Sequence, residues 1–120
     1  MINLIKELQL TINYNFQNLN LLKRSLIHKS FDNQNNNEKL EFLGDRVLGL
    51  IISKKLLEIY PEEKEGIIDK KYANLVNKKT CLNIAKKIDI KKFMILGGSH
   101  QFLERSEDKI ISDCLEALIG

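Results

Sequence analysis

Apolar residues recur at intervals of three and four along most of the chain, which is the spacing of one face of an α-helix. The spacing predicts short helices near 2–8 and 19–27, a long helix over 38–60, and further helices at 66–77, 80–88 and from 107 onward. Between the last two lies KKFMILGGS, which the pattern leaves open as a short apolar turn of helix or strand. The loops are short, so the predicted fold is all-α, with five or six helices in one domain.

The long helix has two unusual features. It is apolar nearly all round, which predicts burial on two sides, and in so small a domain a partner subunit is one candidate for the second side. Its interior also carries Gly44 and Gly49, each of which costs roughly 1 kcal/mol relative to alanine. Both glycines therefore predict a close backbone approach, either within the domain or across a dimer.

Carboxylates cluster on two of the predicted helices. Glu38, Glu41 and Asp45 stand at i, i+3 and i+7 on one face of the long helix. The helix dipole accounts for the first two but not for Asp45. Asp113 and Glu116 stand at i and i+3 in IISDCLEALIG, where their neighbours apart from Ser112 are apolar or small. Acids in such a segment require compensation.

A divalent cation bridging the two helices would supply that compensation. Carboxylate ligands without nearby histidine or cysteine favour Mg²⁺ or Mn²⁺ over Zn²⁺, and paired acids of this kind match a two-metal phosphodiester site. For any single acid, a solvated surface position is the simpler alternative. A di-iron bundle would need Glu-x-x-His motifs, which His28 and His100 do not form.

Composition and charge narrow the class of protein. The chain has 120 residues, of which 43% are hydrophobic and 29% charged, as in one soluble globular domain. The net charge is +3, but residues 70–92 carry +7 and the remainder −4. This division fits a metal-dependent enzyme acting on a polyanion, although a solvated lysine-rich helix face would look the same. No signal peptide or membrane span is expected, and two isolated cysteines favour a reducing cytoplasm.

Four segments carry a resemblance to a known family. NEKLEFLGDRVLGL at 37–50 closely resembles the signature helix of bacterial ribonuclease III, and ISDCLEALIG at 111–120 resembles its second acidic motif. LLKRSLIHKS at 21–30 and KEGIIDKKYANLVNKKT at 64–80 are similar to two further family segments. The resemblance spans nearly the whole chain. It gives no role to the atypical stretch GGSHQFLERSEDK, which includes Ser99, Arg105 and Lys109.

The resemblance implies roles for individual residues. Glu41, Asp113 and Glu116 would be ligands of Mg²⁺, for which Mn²⁺ can substitute, and Asp45 and Glu116 would be catalytic. Glu38 would lie at the RNA-facing end of the signature helix, and Glu65 would be contributed across a dimer cleft. Candidate RNA contacts are the lysines of the basic segment, Lys70, Lys71, Lys78 and Lys79.

The resemblance also implies an activity. The family cleaves double-stranded RNA to 5′-phosphate and 3′-hydroxyl ends in rRNA maturation and mRNA turnover, and its catalytic domains form symmetric dimers. Residues 1–120 would be a catalytic domain that is incomplete at its C-terminal end and lacks the family's RNA-binding domain. Small relatives without that domain, and a non-catalytic RNA-binding or assembly module of the same fold, are the alternatives. The intact acids favour an enzyme.

Overall fold

The computed structural model describes residues 2–98 and 104–120, so Ser99 and His100 lie outside the described residues, and nothing is described of the Arg105 side chain. Within those two ranges the chain forms six α-helices and one short 3-10 helix, which confirms the predicted all-α class. The α-helices are α1 (Ile2–Ile12), α2 (Leu19–Leu26), α3 (Glu38–Ile59), α4 (Glu65–Leu75), α5 (Lys78–Lys87) and α6 (Glu104–Ile119), and the 3-10 helix is Ile90–Phe93.

Asparagine caps explain where two of the helices begin. The Asn18 side chain accepts hydrogen bonds from the amides of Asn20 and Leu21 at the start of α2. The Asn77 side chain accepts one from Thr80 N at 2.8 Å, so α5 begins at Lys78, two residues earlier than predicted. The last helix likewise begins at Glu104 and not near 107. These differences are local, because apolar periodicity locates a helix better than it locates its ends.

The core forms around α6, which packs against α2, α3 and α5. Leu8, Leu22, Leu26 and Ile90 are almost fully buried there. Both cysteines are free and buried, as expected of core residues, and burial raises the pKa of Cys114 to about 12. Together with the 3-10 helix, which also contacts α6, these three helices hold α6 in place.

The segment after the 3-10 helix is pinned to the end of α2. Ile95 forms an isolated parallel bridge with Ile27, so both alternatives left open by the sequence are partly right. His28 Nδ1 lies 2.7 Å from Ser30 Oγ, which accepts a hydrogen bond from Gly97 N at 2.9 Å. These bonds fasten the chain just before α3, where the Asn37 amide also donates to Ile27 O.

The two interior glycines of α3 each meet another helix of the same domain. A Cβ at Gly44 would lie 1.6 Å from the backbone oxygen of Glu116 on α6. A Cβ at Gly49 would lie 2.8 Å from the hydroxyl of Tyr72 on α4. The close approach left open by the sequence is therefore made within the domain, and α3 and α6 meet backbone to backbone at their crossing.

The opposite face of α3 is uncovered. Leu43, Leu50 and Leu57 recur every seven residues on one side of the helix and are 48%, 72% and 59% exposed. We call these three leucines the α3 strip. In the described part of the chain, no helix is both long and apolar enough to cross a membrane.

Candidate active site

Three acids from α3 and two from α6 line one open cavity. Glu41 and Asp45 face Asp113 and Glu116 across the helix crossing, in a space of about 400 Å³. Glu38, at the start of α3, lines the same cavity. Glu65 does not, because it lines a separate cavity between α3 and α4. The structure therefore brings together five of the six acids singled out in the sequence.

The four central acids differ in burial, and this difference perturbs their titration. Glu116 is buried, the Asp113 side chain is 13% exposed, and that of Asp45 is 54% exposed. Burial, and next the charge of Asp113, raise the pKa of Glu41 to about 7. Burial, and then Asp45 and Asp113, raise the pKa of Glu116. Like charges are thus crowded where water solvates them poorly.

Two cations form ion pairs with these acids. Lys109, one turn before Asp113 on α6, places its Nζ 2.7 Å from Asp113 Oδ2. Arg46 lies 3.3 Å from Asp45 Oδ2, and its guanidinium is 3.7 Å from the centre of the Phe42 ring. The expectation that Asp113 lacks a compensating neighbour is therefore wrong. The signal that identifies Lys109 was its i, i+4 spacing to Asp113.

The donor set has the chemistry of a site for a hard divalent cation. The cavity lining contains carboxylates but no histidine or cysteine. In residues 2–98 and 104–120, however, no three Asp, Glu, His or Cys side chains already stand close enough to hold a metal ion. Ligation of a cation here would therefore require side-chain rotation, and the pairing of Asp113 with Lys109 is one contact that would have to change.

The lysines of the basic segment differ in what surrounds them. Lys78, at the start of α5, lines the acidic cavity, and its charge opposes the rise in the pKa of Glu116. Lys70 and Lys79 are exposed, and Lys71 Nζ lies 4.2 Å from the centre of the Tyr60 ring. Three others form ion pairs with acids on other helices, namely Lys86 with Asp108, Lys91 with Glu107 and Lys92 with Glu7. Part of the basic segment therefore has a structural role.

Comparison with known proteins identifies the family. Residues 18–120 match the family model described as ribonuclease-III-like. The chain is 59% identical over 114 residues to ribonuclease 3 of Pelagibacter ubique, covering 95% of this chain and 51% of that protein. It is 44% identical over 105 residues to ribonuclease 3 of Corynebacterium efficiens, covering 83% and 42%. The chain spans about half the length of these curated relatives.

A solved structure extends the similarity to the fold. The nuclease domain of ribonuclease III from Campylobacter jejuni superposes with a TM-score of 0.89 at 37% identity, covering 95% of this chain and 80% of that one. That structure is described as showing flexibility in a region involved in dimer formation. With the family model matching residues 18–120 and this fold shared, the chain belongs to the ribonuclease III family.

Proposed function

We propose that the protein hydrolyses phosphodiester bonds of double-stranded RNA in a reaction that depends on Mg²⁺, with Mn²⁺ as a substitute. The products would carry 5′-phosphate and 3′-hydroxyl ends, and the substrates would be structured rRNA precursors and mRNA in the cytoplasm. The observation that carries the proposal is the convergence of Glu41, Asp45, Asp113 and Glu116 on one cavity. The five carboxylates of the cavity outnumber the cations that face them, Arg46, Lys78 and Lys109, and a divalent cation would offset the remaining charge.

In this proposal the acids hold and orient the cation. Glu41, Asp113 and Glu116 are its ligands, and Asp45 completes the acidic wall. The bound cation supplies Lewis-acid activation of water and charge neutralisation at the phosphate. The crossing at Gly44 fixes the separation of the two acid pairs, so the protein positions the ligands through its backbone.

Recognition of the duplex is assigned to cations beside the cavity. Lys78 is the best placed of the four candidate lysines, because it lines the cavity that contains the acids. It would contact a phosphate next to the scissile one, and Lys70, Lys71 and Lys79 would extend the contact. A-form RNA is bound largely through its shape, phosphates and 2′-hydroxyls, which predicts little dependence on sequence.

The proposal includes a homodimer joined through the α3 strip. A soluble monomer rarely leaves such a row of leucines in water, and a two-fold contact would bury it against its own copy. The nuclease domain of the Campylobacter relative is described as having a region involved in dimer formation, which supports this assignment. Glu65, which lies outside the acidic cavity of its own subunit, is assigned to the cleft between the subunits.

Cleavage assays with a Glu116→Gln variant test the proposal. The variant should lose Mg²⁺-dependent cleavage of a long RNA duplex while still binding it, since an amide keeps the side-chain shape but is a poor ligand for a hard cation. Glu62→Gln, which alters an exposed carboxylate outside the cavity, is the control and should cleave normally. Single-stranded RNA and duplex DNA should be spared. Binding of duplex RNA without cleavage by the wild-type chain would favour the non-catalytic module.

A further inference from the structure

Lys109 makes an asymmetric ion pair with an acid of the cavity. Its side chain is 64% exposed, whereas that of Asp113 is 13% exposed, and the two meet at 2.7 Å. Lys109 also lines a second cavity that shares Glu38, Glu41 and Asp113 with the first. The Lys109 ammonium therefore lies between bulk water and the acids of the cavity, at the end of an aliphatic side chain that extends from α6.

Because of its position, Lys109 should compete with any cation that binds to Asp113. An ammonium held on Oδ2 blocks one ligand oxygen, and its positive charge weakens the field that attracts a second cation. Lys109 is also the flexible partner, because its exposed head can return to water when the pair opens. A divalent ion has twice the charge and several carboxylate ligands, so it should win this competition at a reduced affinity.

We propose that Lys109 is a tethered counter-ion, which neutralises the acids of the cavity when no divalent cation is bound and competes with that cation for Asp113. The inference rests on the proposed function, because it takes Asp113 as a metal ligand. Lys109 is not a catalytic residue in this inference, since it acts through Asp113 and does not touch the substrate.

Mn²⁺ binding to the RNA-free chain, measured by calorimetry, tests this role. Lys109→Met keeps most of the stem but removes the charge, and it should bind Mn²⁺ about two- to fivefold more tightly, the range expected for an exposed ion pair. Lys109→Arg should stay near wild type. Lys86→Met is the matched control, because Lys86 also pairs with an acid of α6, Asp108, but does not line the cavity.

Thermal melting supplies a second measurement. In EDTA, Lys109→Met should melt below wild type because the acids lose their counter-charge, and Mn²⁺ should raise its melting temperature by more than it raises that of wild type. Unchanged or weaker Mn²⁺ binding by Lys109→Met would overturn the proposal, since a lysine that merely orients Asp113 would aid binding. Glu116→Gln separates the two levels of inference. If Lys109→Met and Glu116→Gln both bind Mn²⁺ like wild type, the metal site itself has been misassigned, and the role of Lys109 fails with it.

Discussion

Gly44 lies directly beneath the backbone carbonyl of Glu116, and a Cβ at position 44 would stand 1.6 Å from that oxygen. On α3 the contact is made by Gly44, which lies between Glu41 and Asp45. On α6 it is made by the backbone of Glu116, which is itself one of the acids. A second close approach reinforces it, because a Cβ at Gly120 would lie 2.2 Å from Leu40 O. The absence of side chains at this crossing is what lets the two acid pairs face each other.

Replacing Gly44 with alanine should therefore destabilise the protein and abolish cleavage. The helices would have to separate, at a net cost of about 2 kcal/mol or more, which exceeds the roughly 1 kcal/mol that alanine contributes within a helix. Gly66→Ala is the control, because a Cβ there meets nothing within 4 Å, and it should stabilise by up to about 1 kcal/mol. Urea unfolding at one fixed protein concentration measures both. Equal stability of the two variants would contradict the backbone contact.

The sequence predicted the acid positions well because they follow from helical periodicity. Spacings of three and four place Glu41 with Asp45, and Asp113 with Glu116, on single helix faces. That the two faces meet depends on how α3 packs on α6, which local patterns do not encode. For the same reason the sequence could say only that Gly44 needs a close neighbour, not which backbone provides it.

The charged residues were harder to interpret for a related reason. The sequence places Lys86, Lys91 and Lys92 in one basic segment, yet each has an acidic partner on another helix. A run of lysines gives no information about such partners, since ion pairs form between elements that tertiary packing brings together. Lys109 differs, because its partner lies four residues away on α6.

The acids should make the stability of the metal-free protein depend on pH. The pKa of Glu41 is about 7 in the folded state and near its ordinary 4.5 when unfolded, so the folded state holds the proton more tightly. Its contribution to stability is complete below pH 4.5 and is lost as the pH rises through 7. In EDTA, Glu41→Gln should therefore melt above wild type at pH 8, with a smaller difference at pH 5. Glu62→Gln, at an exposed position, should show no such pattern.

Ser112 offers a stabilising substitution next to the site. Its side chain is 2% exposed, and its Oγ is the one buried side-chain N or O atom without a hydrogen-bond partner in the described residues. Ser112→Ala should stabilise by about 1 kcal/mol, since it removes an unsatisfied hydroxyl and favours the helix. Ser25→Ala is the matched contrast, because Ser25 Oγ donates to Leu22 O at 2.6 Å, and it should destabilise. Destabilisation by Ser112→Ala in thermal melts would mean that this hydroxyl has a partner.

Lys78 and Lys86 differ in what they face, which permits a test of RNA contact. Lys78 borders the acidic cavity, whereas Lys86 lies 3.8 Å from Asp108. Lys78→Ala should weaken binding of duplex RNA similarly for all sequences and reduce the slope of log K against log salt by about 1. Lys86→Ala should leave the slope unchanged. Titrations in EDTA over a range of KCl concentrations measure the slope without cleavage, and equal slopes would remove Lys78 from the interface.

Assembly is best tested away from the acidic cavity. Phe42 is exposed and adjoins the α3 strip, but it supports Arg46 and lines the acidic cavity, so Phe42→Glu would disturb two features at once. Leu50 is 72% exposed and lines none of the cavities described above. Leu50→Glu places a charge from each subunit into a two-fold contact, where like charges cost several kcal/mol. Leu50→Glu should weaken dimerisation at least about a hundredfold and abolish cleavage of duplex RNA.

Light scattering during gel filtration measures that change, and circular dichroism checks that the helices remain. Leu10→Glu is the control, because Leu10 is 81% exposed on α1, away from the strip, and this variant should stay dimeric. If both variants dissociate, the substitutions act through stability and not through a specific surface. A wild-type chain that stays monomeric at micromolar concentration would refute the dimer itself. The exposed leucines of α3 would then have to be tolerated in water, against the rule that a monomer avoids such a strip.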